Sequence, residues 1–337
     1  MKLTTAHRDR AAGVLLATAV GDALGAGYEF GPPLPDDRPV GMIGGGAFGW
    51  EPGEWTDDTS MALVIADAVA DGADPRDPAT QDRIAAGWYD WSRQSKDVGA
   101  QTGAVLGSAH RSAGAAGRVS VTAADLRDAA RRHHQTTGRS GGNGSLMRTA
   151  PLALAYLDDG READLADAAR RLSALTHVDP EAGEACALWC LAIRHAVRTG
   201  QADLRRGLQA LPTDQRAAWA ARLDEAESSV PSDFSHNGWV VQALQAAWCA
   251  ISRTPVPADE PASSAFRAQH LQRALEAAVR GGRDTDTVAA IAGGLLGALH
   301  GASAVPAGWR RIVHGWPGRR AGGLARLGLR IADHGRR

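Results

Sequence analysis

Gly281-Gly282-Arg283-Asp284-Thr285-Asp286-Thr287 sets two carboxylates and two hydroxyls directly before a small and apolar run over 288–299. That order predicts a helix whose first turn begins at the acids. The pattern has a twin far upstream, where Thr56-Asp57-Asp58-Thr59-Ser60 precedes the apolar run 61–69. One N-cap needs one such side chain, and each cluster holds more than that. If the two helix mouths lie apart, both are capped surface helices. If they meet, four carboxylates converge and demand cations. Carboxylate and hydroxyl oxygens are hard donors suited to Mg²⁺, Mn²⁺ or Ca²⁺ rather than Zn²⁺, and four aspartates balance the charge of two divalent ions.

Outward from these clusters, residues 6–26 read as a helix in which Gly13, Ala17, Gly21 and Gly25 recur every fourth position. Gly293, Gly297 and Gly301 repeat the spacing. Each helix then has a face without bulk, so another backbone can approach it closely. Both helices are expected at the centre, where packing offsets the poor helix propensity of glycine. Asp22 and Glu29 fall near the carboxyl end of the first. Its glycines follow a helical pattern and no strand, which argues against a dinucleotide-binding loop.

Residues 31–54, rich in Gly and Pro, form a long loop that delivers Glu54-Trp55 to the first cluster. Helical spacing returns over 81–92 and 102–109, with the polar Asp97-Val98-Gly99 between them, and Thr122-Ala123-Ala124-Asp125 has the form of a capping box. Gly138-Arg139-Ser140-Gly141-Gly142-Asn143-Gly144-Ser145 is followed by Leu146-Met147-Arg148 and an apolar run over 150–157. Successive amides feeding a helix start can cradle a phosphate; a plain flexible connection is the alternative. Thr176-His177 precedes Asp179-Pro180, a cap and a first helical position. Residues 239–251 and 266–279 read as helices, 201–232 carry no evident chemistry, and 318–337 read as a basic, solvated amphipathic helix. Alternating β-branched runs are missing while Ala and Leu at helical spacing dominate, so the fold is expected to be all-α. Without a compositional break, the whole chain 1–337 is read as one compact orthogonal multi-helix domain.

The 337 residues carry 37 basic and 38 acidic side chains, which leaves no basic stripe for nucleic acid or anionic lipid. Charged residues interrupt the chain too often for a membrane-spanning helix. Cys186, Cys190 and Cys249 are three cysteines without scaffold spacing, so a reducing, cytoplasmic setting is expected, with Cys186 and Cys190, four apart on a helix, read as core packing rather than metal ligands. The sequence is silent on oligomeric state.

The ordered segments Gly21-Asp22-Ala23-Leu24-Gly25 with Glu29, Trp55-Thr56-Asp57-Asp58-Thr59, Asp97-Val98-Gly99, Asn143-Gly144-Ser145-Leu146-Met147-Arg148, Leu175-Thr176-His177 and Gly282-Arg283-Asp284-Thr285-Asp286-Thr287 resemble the motifs of the ADP-ribosylglycohydrolase family. The resemblance spans roughly residues 12–300. It implies a wholly helical domain with a binuclear Mg²⁺ or Mn²⁺ centre. The implied metal ligands are Thr56, Asp57, Asp58, Asp284, Asp286 and Thr287. Glu29 and Asp97 match the acidic positions implied in catalysis. Gly99, Ser140, Gly142, Asn143, Gly144, Ser145, Met147 and His177 match the substrate-binding segments, with 140–145 holding the diphosphate and proximal ribose.

The implied activity is metal-dependent hydrolysis of the bond between ADP-ribose and a modified protein acceptor. Arginine is favoured over serine by the 97–99 motif. Two further readings stand beside it: a protein that binds ADP-ribose or blocks an ADP-ribosyltransferase without turnover, and a hydrolase of another N-glycoside or a phosphoester. Arg283 and Gly141 depart from the family pattern, the latter leaving the 138–145 loop without an aromatic side chain.

Overall fold

The computed structural model describes residues 2–334. Its helices are α1 (Thr5–Gly25), α2 (Asp57–Val69), α3 (Pro78–Ser92), α4 (Ala100–Ala115), α5 (Ala123–Thr137), α6 (Glu162–Ser173) and α7 (Pro180–Thr199). They continue with α8 (Thr213–Ser228), α9 (Val240–Arg253), α10 (Gln269–Arg280), α11 (Thr285–His300), α12 (Ala307–Ile312) and α13 (Ala321–His334). The fold is all-α with one minor hairpin, β1 (His314–Gly315) paired antiparallel with β2 (Arg319–Arg320). No helix of the described residues is long and apolar enough to cross a membrane.

Helices α1 and α11 form the buried centre, and the glycines explain how. A Cβ on Gly13 would overlap the carbonyl oxygen of Gly297, and one on Gly297 would overlap that of Gly13. Gly21 lies against the Ala289 carbonyl and Gly293 against that of Ala17. At Gly25 the neighbour is the backbone of Thr285 and Asp286. The last turn of α1 therefore rests on the first turn of α11, tied by Thr285 Oγ1 donating to the Gly25 carbonyl at 2.9 Å. Glycine spacing has set where an acid cluster lies in space.

Three elements differ from the sequence reading. The 150–157 run begins as a tight three-residue-per-turn coil over Ala150–Tyr156, not an α-helix. Pro151 has no N–H to start an α-ladder, and the amides of Thr149 and Leu152 bond three residues back, to Leu146 and Thr149. The 138–145 loop thus feeds no α-helical N-terminus. In the tail, 318–320 belong to the hairpin turn and second strand, and only 321–334 are helical; 335–337 lie outside the described residues. That helix is not merely solvated. Leu324, Leu327 and Ile331 are buried, and Gly328 approaches the Ala11 carbonyl of α1.

Candidate active-site cleft

The first turns of α2 and α11 meet at the carboxyl end of α1. Capping does not explain their acids, because neither helix has a side-chain cap bond of its own. Helix α2 is closed from outside: Asp22 accepts the amides of Thr56 (2.8 Å) and Thr59 (2.9 Å) and the Thr59 hydroxyl (2.6 Å). Asp57 and Asp58 are thereby released from a capping role. Single carboxylate oxygens of Asp22, Asp58 and Asp286 lie within 4.8 Å of one another, and those of Glu29, Asp284 and Asp286 do likewise. Asp286 belongs to both groups.

The electrostatics of this cluster are severe. Burial, then Asp22 and Asp57, push the Asp58 carboxyl well above its ordinary range, and burial, then Asp58 and Glu29, do the same to Asp286. Burial, then Asp97, raises Asp57 to about 8. Glu29 is raised to about 9 by burial first and the Asp284 charge second. Asp97 is raised by burial and Asp284. Asp22 rises to about 6 through burial, against the hydrogen bonds of Thr59 and Thr56. Among the described residues, no lysine or arginine is among the largest influences on Asp58 or Asp286. Asp58 Oδ1 and Glu29 Oε2 are buried with no hydrogen-bond partner. An all-oxygen set with orphaned, mutually repelling carboxylates fits a hard divalent cation.

Two asparagines position the second cluster. Asn143 Nδ2 donates to Asp284 Oδ2 at 2.7 Å and to the Asn237 carbonyl at 2.9 Å. Asn237 Oδ1 accepts the Asp284 amide at 3.2 Å, and its Nδ2 donates to the Gly282 carbonyl at 3.0 Å. In the first cluster, Thr56 Oγ1 donates to Asp58 Oδ2 at 3.0 Å, and the Gly99 amide reaches Asp57 Oδ2 at 3.4 Å.

A cleft of about 350 Å³ opens over these acids. Glu29, Asp57, Asp97, Asp284, Asp286 and Thr287 line it, together with Gly99, Gly142, Asn143, Gly144, Met147 and His177. Thr56 and Asp58 lie behind, fully buried. Two residues of the 140–145 segment point their side chains away: Ser140 Oγ is bonded to His134 Nδ1, and Ser145 Oγ accepts from Ser173 Oγ. The segment offers backbone to the cleft at Gly142 and Gly144, because added Cβ atoms there would stand 3.3 Å from His177 Nε2.

Thr176 Oγ1 accepts from Arg148 Nη2 at 2.6 Å and shares a hydrogen bond of 2.7 Å with His177 Nδ1. Burial and the Arg148 charge hold the imidazole neutral, with its affinity for a second proton well below ordinary. When the Thr176 hydroxyl donates to Nδ1, the proton of the neutral ring is on Nε2, which faces the backbone of Gly142 and Gly144. Arg148 is fixed by stacking over Trp88 at 3.8 Å.

Sequence reading missed Asp22 as the group that closes α2, Asn237 as the clamp on Asp284, and Gln101, whose Nε2 ties the Ser140 and Thr176 carbonyls at 3.1 and 2.9 Å. An acid among small residues, within the Gly21-Asp22-Ala23-Leu24-Gly25 motif, was the available signal for Asp22.

Comparison with known proteins agrees with this geometry. The chain matches the ADP-ribosylglycohydrolase family model over residues 3–336. It is 32% identical over 311 residues to an ADP-ribosylarginine hydrolase of Pseudomonas putida, covering 89% of this chain and 73% of that one. It is 28% identical over 314 residues to the ADP-ribosyl-[dinitrogen reductase] glycohydrolase of Rhodospirillum rubrum, covering 89% of each. A solved structure described as an ADP-ribosylglycohydrolase-related protein complex superposes with a TM-score of 0.71 at 28% identity, covering 98% of this chain and 100% of that one. The chain belongs to the ADP-ribosylglycohydrolase family and is an enzyme of the glycosidase class.

Proposed function

We propose that the cleft hydrolyses the N-glycosidic bond between ADP-ribose and an arginine of a modified protein, with two divalent cations, Mg²⁺ or Mn²⁺, at its floor. The observation that carries this is the pair of carboxylate groups sharing Asp286, one buried and the other half-buried, beneath a cleft lined by the 142–144 segment and a neutral histidine. Asp58, Asp284 and Asp286 are the core ligands, with Asp57, Thr56 and Thr287 completing the set. When bound, such ions hold ribose hydroxyls, neutralise the acids and increase the acidity of water.

The chain's own residues do the rest. His177 Nε2–H and the amides of the 142–144 segment bind the diphosphate, which fixes the anomeric carbon over the acids. Glu29, in the cleft beside Asp284 and Asp286, accepts a proton from water as the C–N bond opens through an oxocarbenium-like transition state. It then passes that proton to the departing guanidine nitrogen, so the products are ADP-ribose and an arginine guanidinium. Asp97, which also lines the cleft, stabilises the developing positive charge. The partner is an ADP-ribosylated protein, met in the cytoplasm, where the three unpaired cysteines remain reduced.

Incubation with ADP-ribosylated arginine and serine peptides in Mg²⁺ or Mn²⁺ tests the reading. Release of ADP-ribose from the arginine peptide, lost in Glu29→Gln while ADP-ribose still binds, is the expected result. Absence of release from either peptide by metal-loaded protein overturns it.

A further inference from the structure

Phe30 follows Glu29 and, among the described residues, is the only Phe, Tyr or Trp lining the cleft, yet 64% of it is exposed. Its φ is +63°, in the left-handed region that bulky residues avoid. The conformation is enforced by a clasp with a second left-handed non-glycine residue, Arg283 at φ +67°. The Phe30 amide donates to the Arg283 carbonyl at 2.6 Å, and the Arg283 amide donates to the Gly31 carbonyl at 2.8 Å. Folding alone gives no reason for this arrangement: glycine would suit the backbone better, and an exposed phenyl ring forgoes burial. The ring meets Phe48 edge-on at 6.3 Å, and Phe48 in turn approaches Trp50 at 6.2 Å. Lys96, next to Asp97, stands over Trp50 at 4.9 Å. The aromatic row thus joins the neighbourhoods of the two carboxylates.

We infer that Phe30 is the acceptor-recognition residue of the cleft: its ring stacks on the guanidinium of the modified arginine, with Glu29 and Asp97 facing that cation. The inference rests on the proposed hydrolase reading and adds the residue that selects the leaving group. An aromatic face beside acids suits a flat, weakly hydrated, delocalised cation. A serine hydroxyl offers the ring nothing comparable. The clasp keeps the ring over the mouth before substrate arrives, so little ordering is needed on binding.

The test compares wild type with Phe30→Gly, which accommodates the positive φ and keeps the fold, and with Phe30→Tyr. Three quantities are read: kcat/KM on ADP-ribosylated arginine, ADP-ribose affinity by calorimetry, and inhibition by methylguanidine. For Phe30→Gly the expected results are a roughly tenfold loss in kcat/KM and in methylguanidine inhibition, with ADP-ribose affinity unchanged within about twofold. Phe30→Tyr restores the wild-type values. Unchanged turnover overturns the inference. Equal loss of ADP-ribose affinity also overturns it, placing the ring on the nucleotide, and a fall in kcat with methylguanidine inhibition intact reduces Phe30 to a support for Glu29. A wild type inert on every substrate refutes the hydrolase reading itself, a different outcome from an active wild type indifferent to Phe30.

Discussion

The Asp22 carboxylate accepts both the amide and the hydroxyl of Thr59, at 2.9 and 2.6 Å, so the last turns of α1 close the first turn of α2. A residue of one helix thus performs the capping that the acids of the other leave undone. Asp22→Ala strands two buried amides and a hydroxyl and is expected to destabilise the fold by about 3 kcal/mol, read by urea unfolding. Because α2 presents Asp57 and Asp58, divalent binding by calorimetry is expected to weaken about 10- to 100-fold. Unchanged metal affinity in the variant contradicts this positioning role.

Gly21 and Gly297 admit no side chain, since the facing atoms are backbone carbonyls that cannot rotate away. Gly21→Ala is expected to cost about 3 kcal/mol in urea unfolding, near the upper end of overpacking effects. Ala substitution at Gly103, whose added Cβ meets neighbours only at 3.6 Å or more, is expected to be neutral or slightly stabilising. Equal responses at the two positions contradict the close approach of α1 and α11.

Much of this was legible from residue order. Glycine at every fourth position foretold bare helix faces, and two acid-rich helix starts foretold a meeting place. The missing parts are those in which one residue acts on a distant one. Asp22 caps a helix 34 residues downstream, and Asn237 clamps Asp284 across 47 residues, which no local pattern encodes. The coil over 150–156 was misjudged because apolar spacing does not register the single missing N–H of Pro151. Ser140 and Ser145 matched a binding motif, but spacing cannot tell which way a side chain turns in a glycine-rich loop.

The acids also fix a pH response. Asp57 titrates near 8 and Glu29 near 9 in the fold, both far above their ordinary values of 3.8 and 4.5. Between those limits the folded chain holds more protons than the unfolded one, so the stability of metal-free protein falls as pH rises. Thermal melting without metal is expected to decline from pH 5 to pH 9, roughly the window between the two sets of values. Saturating Mg²⁺ binds the ionised carboxylates and should flatten the decline, with protons released on binding. A metal-free melting temperature that climbs through the same window contradicts the assignment.

His177 Nδ1 shares a 2.7 Å hydrogen bond with the Thr176 hydroxyl, which Arg148 orients. His177→Phe is expected to weaken ADP-ribose binding about tenfold, the worth of one hydrogen bond to a charged group, while leaving divalent binding intact. Parallel calorimetric titrations with each ligand check it. Loss of both affinities together indicates a structural role instead.

The most direct measurement is anomalous scattering from crystals of Mn²⁺-loaded protein. Two peaks are expected between the first turns of α2 and α11, both within coordination distance of Asp286, one toward Asp58 and the other toward Asp284. Mn²⁺ found elsewhere, or no peak with the carboxylates remaining in their places, contradicts the account.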